Sequence, residues 1–415
     1  METLFSPGNV NKLSRKPIRP LGSFSDFVVT MLPDQLHHCK NEADLGLLAK
    51  KIEAELASIG ETNGSSTSLA INKLIRLDLI FAFTAIAQKL AGFYLDGATE
   101  VEKAARKAAL AEKTAATIPL ILIEAVKRYS QKLDMPTVLT YEDLILINPL
   151  DQDPRLFSTE EVGKTEIDFY RGHFLIEQAL EQVIDSLAAA RRDPETLLTN
   201  LQKAVDFILP LKELTAAFRD TMSTAHFAAF RGYFAVNAYN SLVGPSGRFS
   251  AKVQHVRILL DGDRLHTVSP GLLPDLFGHY DYYPVTDRAN LSGDMEQRFC
   301  PALFESGKLP IKITQMIPLS RKNSTIAELV RAQGYQGSAY DLLNNIRETM
   351  DDFTGAHYAA AYRHVIQGIK ASEGTSGIQD VNRFLADRFN MHEKIRKLED
   401  GEIIARIADR GRDPR

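Results

Sequence analysis

The chain has 415 residues, 44% of them hydrophobic and 25% charged, so it can bury a large core without disulfides or structural metals. Its formal net charge of -4, from 49 basic and 53 acidic side chains, argues against a dedicated nucleic-acid binder, whose footprint is a strong basic excess. Cys39 and Cys300 are the two cysteines; they lie far apart, exclude a disulfide framework and fit a reducing cytoplasm, and no Cys-x-x-Cys-His motif for covalently attached haem occurs.

Met1–Pro20 is polar and lacks the apolar run of a signal peptide. Pro7, Pro17, Pro20 and Pro33 predict an irregular first 40 residues. Helical periodicity covers 42–59, and Asn63-Gly64 marks a loop over 60–68. Leu69–Ser130 is rich in Ala, Leu, Ile, Lys and Glu and predicts two long helices divided near Asp96-Gly97. Its most apolar part, Leu74–Leu95, is interrupted by Arg76, Asp78, Gln88 and Lys89, the pattern of a buried helix and not of a membrane span. Pro136, Pro149 and Pro154 make 133–163 a connection, with a short apolar run at Leu144–Ile147. Helical patterning returns over Thr165–Ala190. Asp193-Pro194-Glu195 then places an N-cap and a proline ahead of a helix running to about Arg219, and another helix follows over Thr224–Tyr239. The stretch 241–323 is rich in glycine and proline and predicts long loops with short helices, which a compact domain rarely keeps without a use. Helix resumes at 324–333, 338–370, 378–399 and 400–411. Strand-like alternation is scarce, so the fold class is mainly α: an N-terminal helical region, 1–160, packing on a helical domain, 161–415.

Four constellations carry chemistry. In the 338–370 helix, Leu343, Ile346, Met350, Phe353, His357, Ala360 and His364 fall on one face, placing two histidines on an apolar stripe where a neutral imidazole can ligate iron. Phe169 and His173 share a face with Ile176, Leu180 and Ile184, pairing an aromatic wall with a hydrogen-bonding group. Phe227, Arg231 and Phe234 align on one face; an arginine there is costly to bury unless it meets an anion, and its planar fork suits a carboxylate. Finally, Gly244-Pro245-Ser246-Gly247-Arg248-Phe249-Ser250 and Gly374-Thr375-Ser376-Gly377 are small-residue loops that permit close backbone approach to a ligand. Neither matches a phosphate-binding or dinucleotide fingerprint.

The order of these motifs resembles the haem-dependent tryptophan and indoleamine 2,3-dioxygenase superfamily, including the branch of the pyrrolnitrin pathway (monodechloroaminopyrrolnitrin synthase-like). The similarity covers roughly residues 165–390. It implies a helical-bundle haem domain with haem b as cofactor and His357 as the iron ligand, His364 standing as the alternative. It implies that Phe169 and His173 form the distal wall, that Phe227 packs on the substrate, and that Arg231 grips the substrate carboxylate. Ser246 and Thr375 would touch the substrate, while Ser250, Gly374 and Gly377 would lie against the cofactor. His173 matches the histidine of the tryptophan dioxygenases, where the indoleamine branch has serine. Ser376 departs from the family's Gly-Thr-Gly-Gly loop, and the 261–323 insert has no counterpart.

The resemblance implies a cytoplasmic enzyme that inserts O2 at the C2–C3 bond of an indole amino acid, with no nucleic-acid or membrane partner. Hydroxylation or rearrangement of a tryptophan- or tyrosine-like substrate, and a non-catalytic haem-binding or scaffold protein, stand as alternatives. With no tryptophan in the chain, an indole site must be lined by Phe and Tyr. The long N-terminal helices offer either a homodimer interface or a cover for the core.

Overall fold

The computed structural model describes residues 18–59, 68–95, 97–235, 244–247, 250–262, 264–268, 325–333, 337–368 and 390–410. These are mainly helical, with no strand among the described residues, and none of the described helices is long and apolar enough to cross a membrane. In chain order the α-helices are α1 (Ser23–Asp26), α2 (Leu32–His38), α3 (Glu42–Ser58), α4 (Leu69–Leu95), α5 (Glu100–Thr117), α6 (Leu120–Leu133), α7 (Glu160–Arg192), α8 (Leu197–Ile208), α9 (Pro210–Thr221), α10 (Thr224–Arg231), α11 (Ala251–Asp261), α12 (Arg264–Val268), α13 (Ile326–Ala332), α14 (Ser338–Ala361) and α15 (Met391–Arg410).

Helix α4 is apolar on nearly every face, and such a helix must sit inside a bundle. It packs against α3, α5 and α6. Two of its polar interruptions, Arg76 and Asp78, are fully buried and paired. Arg76 forms an ion pair with Asp143 and donates to Ser130 Oγ at 3.1 Å and to the Val138 carbonyl at 2.9 Å. Asp78 pairs with Arg155 at 2.7 Å and accepts the Ser25 hydroxyl at 2.6 Å. These charges tie α1 and the 136–155 connection to α4. Removing one partner from such a pair strands a buried charge and typically costs about 3–5 kcal/mol.

Helix α7 spans both halves of the interior. Its N-terminal part, through Tyr170, joins a core shared with α3, α4, α6 and α10. Its C-terminal part contributes Leu180, Val183 and Leu187 to a second core with Leu201 and Ile208 of α8 and Leu343, Ile346 and Met350 of α14. Charges lock α15 onto this frame. Arg347 of α14 is buried between Asp261 and Glu399, and His392 Nδ1 lies 2.8 Å from Asp261 Oδ2. Burial raises the Asp261 carboxyl, but Arg347 and His392 outweigh it and hold its pKa at about 2.

Glu166 on α7 shows the opposite balance. It is fully buried and accepts from Phe157 N at 2.9 Å, Ser158 N at 3.0 Å and Tyr170 Oη at 2.7 Å. Burial raises it from 4.5 to about 7 in spite of those bonds. The folded state therefore holds this proton more tightly than the unfolded chain. Its stabilising contribution is fully present below pH 4.5 and is lost as pH rises to about 7. Glu166→Gln is expected to flatten the fall in stability between those limits, a difference on the order of 3 kcal/mol at most. Chemical denaturation at pH 5 and pH 8 measures it; an unchanged slope in the variant contradicts the assignment.

Several expected boundaries move, and proline explains three of them. Residues 23–38 are helical where an irregular segment was expected, because Pro33 lies in the first turn of α2, where a missing N–H costs nothing. The 69–130 region holds three helices, not two: Ile118 is extended ahead of Pro119, which ends α5. Pro210 likewise divides the helix expected to reach Arg219 into α8 and α9. The Leu144–Ile147 run lies in a π-helical turn, Glu142–Ile147. The helix expected over Thr224–Tyr239 ends at Arg231 and is followed by a 3₁₀ turn, Gly232–Phe234. The helix expected over 338–370 leaves α geometry after Ala361 for a π turn, Tyr362–Gly368. Gly401 lies within a continuous α15, so no break separates 399 from 400.

Candidate active site

Three helices supply the expected site residues. Phe169 and His173 stand one turn apart on α7, with ring centroids 4.3 Å apart. Helix α10 and the 3₁₀ turn after it wrap Phe169 with Phe227 at 5.6 Å, Phe230 at 5.5 Å and Phe234 at 6.4 Å. Arg231 follows Phe227 by one turn. It is half-buried, and burial pushes the guanidinium below its ordinary pKa. That is the surrounding in which an arginine gains most from a carboxylate.

His173 is held in one state. Its Nδ1 is 2.9 Å from the Phe169 carbonyl, an acceptor, so Nδ1 carries the proton in that bond. Burial pulls the pKa to about 4, the carbonyl bond opposes this, and His357, when protonated, lowers it further. The ring is therefore neutral at pH 7. The segment 244–247 lies against it: a Cβ on Gly247 would stand 3.9 Å from His173 Nε2, an ordinary contact. Ser246 is half-buried beside it. Ser250 is buried, and its Oγ accepts from Val253 N at 3.3 Å as the N-cap of α11, so its visible work is to start that helix.

The two histidines of α14 separate sharply. Leu343, Ile346, Met350 and Phe353 are buried as expected, and the stripe surfaces at His357. The His357 side chain is exposed by area, yet burial still lowers its pKa, with the Arg257 charge adding to the effect. His357 forms no hydrogen bond among the described residues, so a neutral imidazole is left with a nitrogen for a ligand. His364 is 1% exposed and fully employed. Its Nδ1 meets Thr224 Oγ1 at 2.8 Å and its Nε2 meets the Arg219 carbonyl at 3.0 Å. The π turn that begins at Tyr362 changes the helical phase, carrying His364 off the stripe and into α9 and α10. Both nitrogens of His364 are thus occupied, while the His357 ring is not hydrogen-bonded among the described residues.

No group of three or more His, Cys, Asp or Glu positioned for a metal ion occurs among the described residues. An iron carried by a porphyrin needs one axial protein ligand, a requirement that the exposed, unbonded ring of His357 fits. Gly374, Thr375 and Gly377 lie outside the described residues, as do Arg248, Phe249 and most of the 261–323 insert.

Three further residues join this site. Arg257 of α11 is buried, donates to Thr354 Oγ1 at 3.0 Å one turn before His357, and its charge reaches that ring. Its signal in sequence is a lone arginine in the apolar run Val256–Leu260. Glu177 interrupts the α7 stripe between Ile176 and Leu180, one turn beyond His173. Tyr141, which has no sequence signal, donates to Glu177 Oε1 at 2.9 Å and sets its ring edge-on to His173 at 6.3 Å. No protein-family model matches the chain, and no curated protein matches it.

Proposed function

We propose that this protein is a haem-dependent oxygenase of an indole amino acid, tryptophan or a derivative, built on a helical haem domain of the tryptophan/indoleamine dioxygenase type. The observation that carries the reading is a pair of neutral imidazoles on different helices within electrostatic reach of each other: His357, unbonded and accessible, and His173, backed by Phe169. In this reading His357 ligates the iron of haem b. The bound haem supplies the activation of O2 for insertion at the indole C2–C3 bond.

The remaining chemistry belongs to the chain. Arg231 binds the substrate carboxylate through two parallel N–H bonds and fixes one end of the molecule. Phe169 and Phe227 line the ring's resting place with aromatic surface. By the resemblance, His173 stands beside the indole N–H and fixes the ring's rotation. Two anchored ends restrict the substrate to one orientation, the main contribution a protein makes to a cofactor-driven step. By the resemblance, Ser246 and Thr375 add contacts to the amino-acid end.

Reduced, haem-loaded protein turned over with a tryptophan-type amino acid under doubly labelled O2 tests the proposal. The expected product is a ring-opened formylkynurenine-type compound carrying both labelled atoms. A single labelled atom in an intact ring makes the enzyme a hydroxylase and overturns dioxygenation.

A further inference from the structure

The corner between α9 and α10 is closed by a side chain from elsewhere in the fold. Helix α9 ends at Thr221 and α10 begins at Thr224, with Ser223 as its N-cap. His364, in the π turn that follows α14, reaches both helices. The Arg219 carbonyl, 3.0 Å from Nε2, can only accept, so Nε2 carries the proton. That carbonyl lies in the last turn of α9, where helix carbonyls lack partners within the helix. Burial lowers the pKa of His364 in spite of this bond, with the Arg363 charge adding to the effect, so the ring is neutral. Nδ1 therefore accepts the hydroxyl of Thr224, the first residue of α10, at 2.8 Å. The ring also meets Phe227 edge-on, centroids 6.2 Å apart at 62°.

On the reading of Arg231 as the carboxylate anchor, we propose that His364 is a positioning residue: it sets the direction in which α10 leaves α9, and so places Phe227 and Arg231 relative to His357. His364 touches neither substrate nor iron in this scheme. It acts through α10.

One ring suffices because α10 is short, eight residues, and draws its order from its surroundings. The helix packs on α7 through Phe227 and Phe230, both against Phe169. Apolar packing holds it close but is non-directional, whereas hydrogen bonds are directional. Arg231 stands at the far end of α10, about 10 Å along the axis from Thr224. A tilt of about 6° at the corner moves it by about 1 Å, and a misplacement of that size can cost about 100-fold. The reference for the corner is α14, which packs on α9 and runs directly into the π turn carrying His364. Arg363, in the same π turn, meets Asp220 at 3.5 Å, but that pair is exposed and contributes little.

The full-length chain carries the test. Thr224→Val removes the hydroxyl and keeps the bulk, and Thr224→Ser keeps the hydroxyl. His364→Phe keeps a ring against Phe227 and loses both bonds. Without haem, hydrogen exchange of the α10 amides is expected to speed up about fivefold or more in Thr224→Val and His364→Phe, with α8 and α14 unchanged. With ferric haem, dissociation constants of tryptophan and of the corresponding amine are read from the Soret shift. The amino acid is expected to bind about tenfold more weakly in both variants, the amine as in the wild type, and Thr224→Ser to restore the amino acid. A role in stability alone leaves the ratio of the two constants at its wild-type value. Unchanged α10 exchange or an unchanged ratio in Thr224→Val overturns the positioning role; if His364→Phe fails to fold, the Thr224 pair decides. A wild type that binds amine and amino acid equally, or takes up no haem, overturns the underlying reading and the positioning role with it. That failure shows in the wild type, whereas failure of the positioning role alone shows only in the variants.

Discussion

His357→Ala is expected to lose stoichiometric haem binding, with affinity falling about 100-fold or more, while its fold and thermal transition stay intact. The ring makes no hydrogen bond among the described residues and is exposed by area, so the fold draws little from it. Even outer-shell partners of metal sites are worth about 10- to 100-fold in affinity, and the direct ligand is worth more. His364→Ala reverses the pattern. That variant strands the Arg219 carbonyl and the Thr224 hydroxyl beside a small cavity, so it is expected to cost about 1–3 kcal/mol of stability and to keep the haem. Absorption in the Soret region and thermal melts of both variants measure the contrast. Haem retained by His357→Ala and lost by His364→Ala would transfer the ligand role to His364.

Arg231→Ala is expected to raise KM for the aromatic amino acid about 30- to 1000-fold, with the haem spectrum of the substrate-free protein unchanged. The range corresponds to about 2–4 kcal/mol for a charged contact cut from a largely desolvated site. Arg231→Lys keeps the charge but loses the planar fork, so a smaller loss, about tenfold, is expected. The corresponding amine without a carboxylate provides the control: the wild type should bind it as weakly as Arg231→Ala binds the amino acid. Equal KM values for amine and amino acid in the wild type would remove Arg231 from the substrate. The control works because the contact is specific to one end of the ligand.

The sequence announces some of this arrangement and conceals the rest for definite physical reasons. The α7 pairing of Phe169 with His173, and the α10 stripe with Phe227 and Arg231, are regular α-helical periodicities and appear in the structure where the spacing places them. The choice between His357 and His364 is invisible to the same rule. An α-helical ruler carries both onto one stripe, and only the π turn after Ala361 breaks the phase between them. Tyr141 is likewise beyond reach, because it meets His173 across 32 positions of chain through a π turn that no simple period describes. Arg76 and Asp78 look like flaws in an apolar run, yet they are the residues that bind α4 to its neighbours. Glu177 follows the same logic: a charged residue on an apolar face marks a paired group whose partner lies elsewhere in the chain.

The central proposal is that one imidazole, His357, holds an iron porphyrin. Titration of the folded full-length chain with ferric haem, followed by absorption, tests it most directly. The expected result is saturation at one haem per chain, with a Soret band of histidine-ligated iron that shifts when an indole amino acid is added. A folded chain that gives no saturable Soret change, or whose band ignores every aromatic amino acid offered, would contradict it.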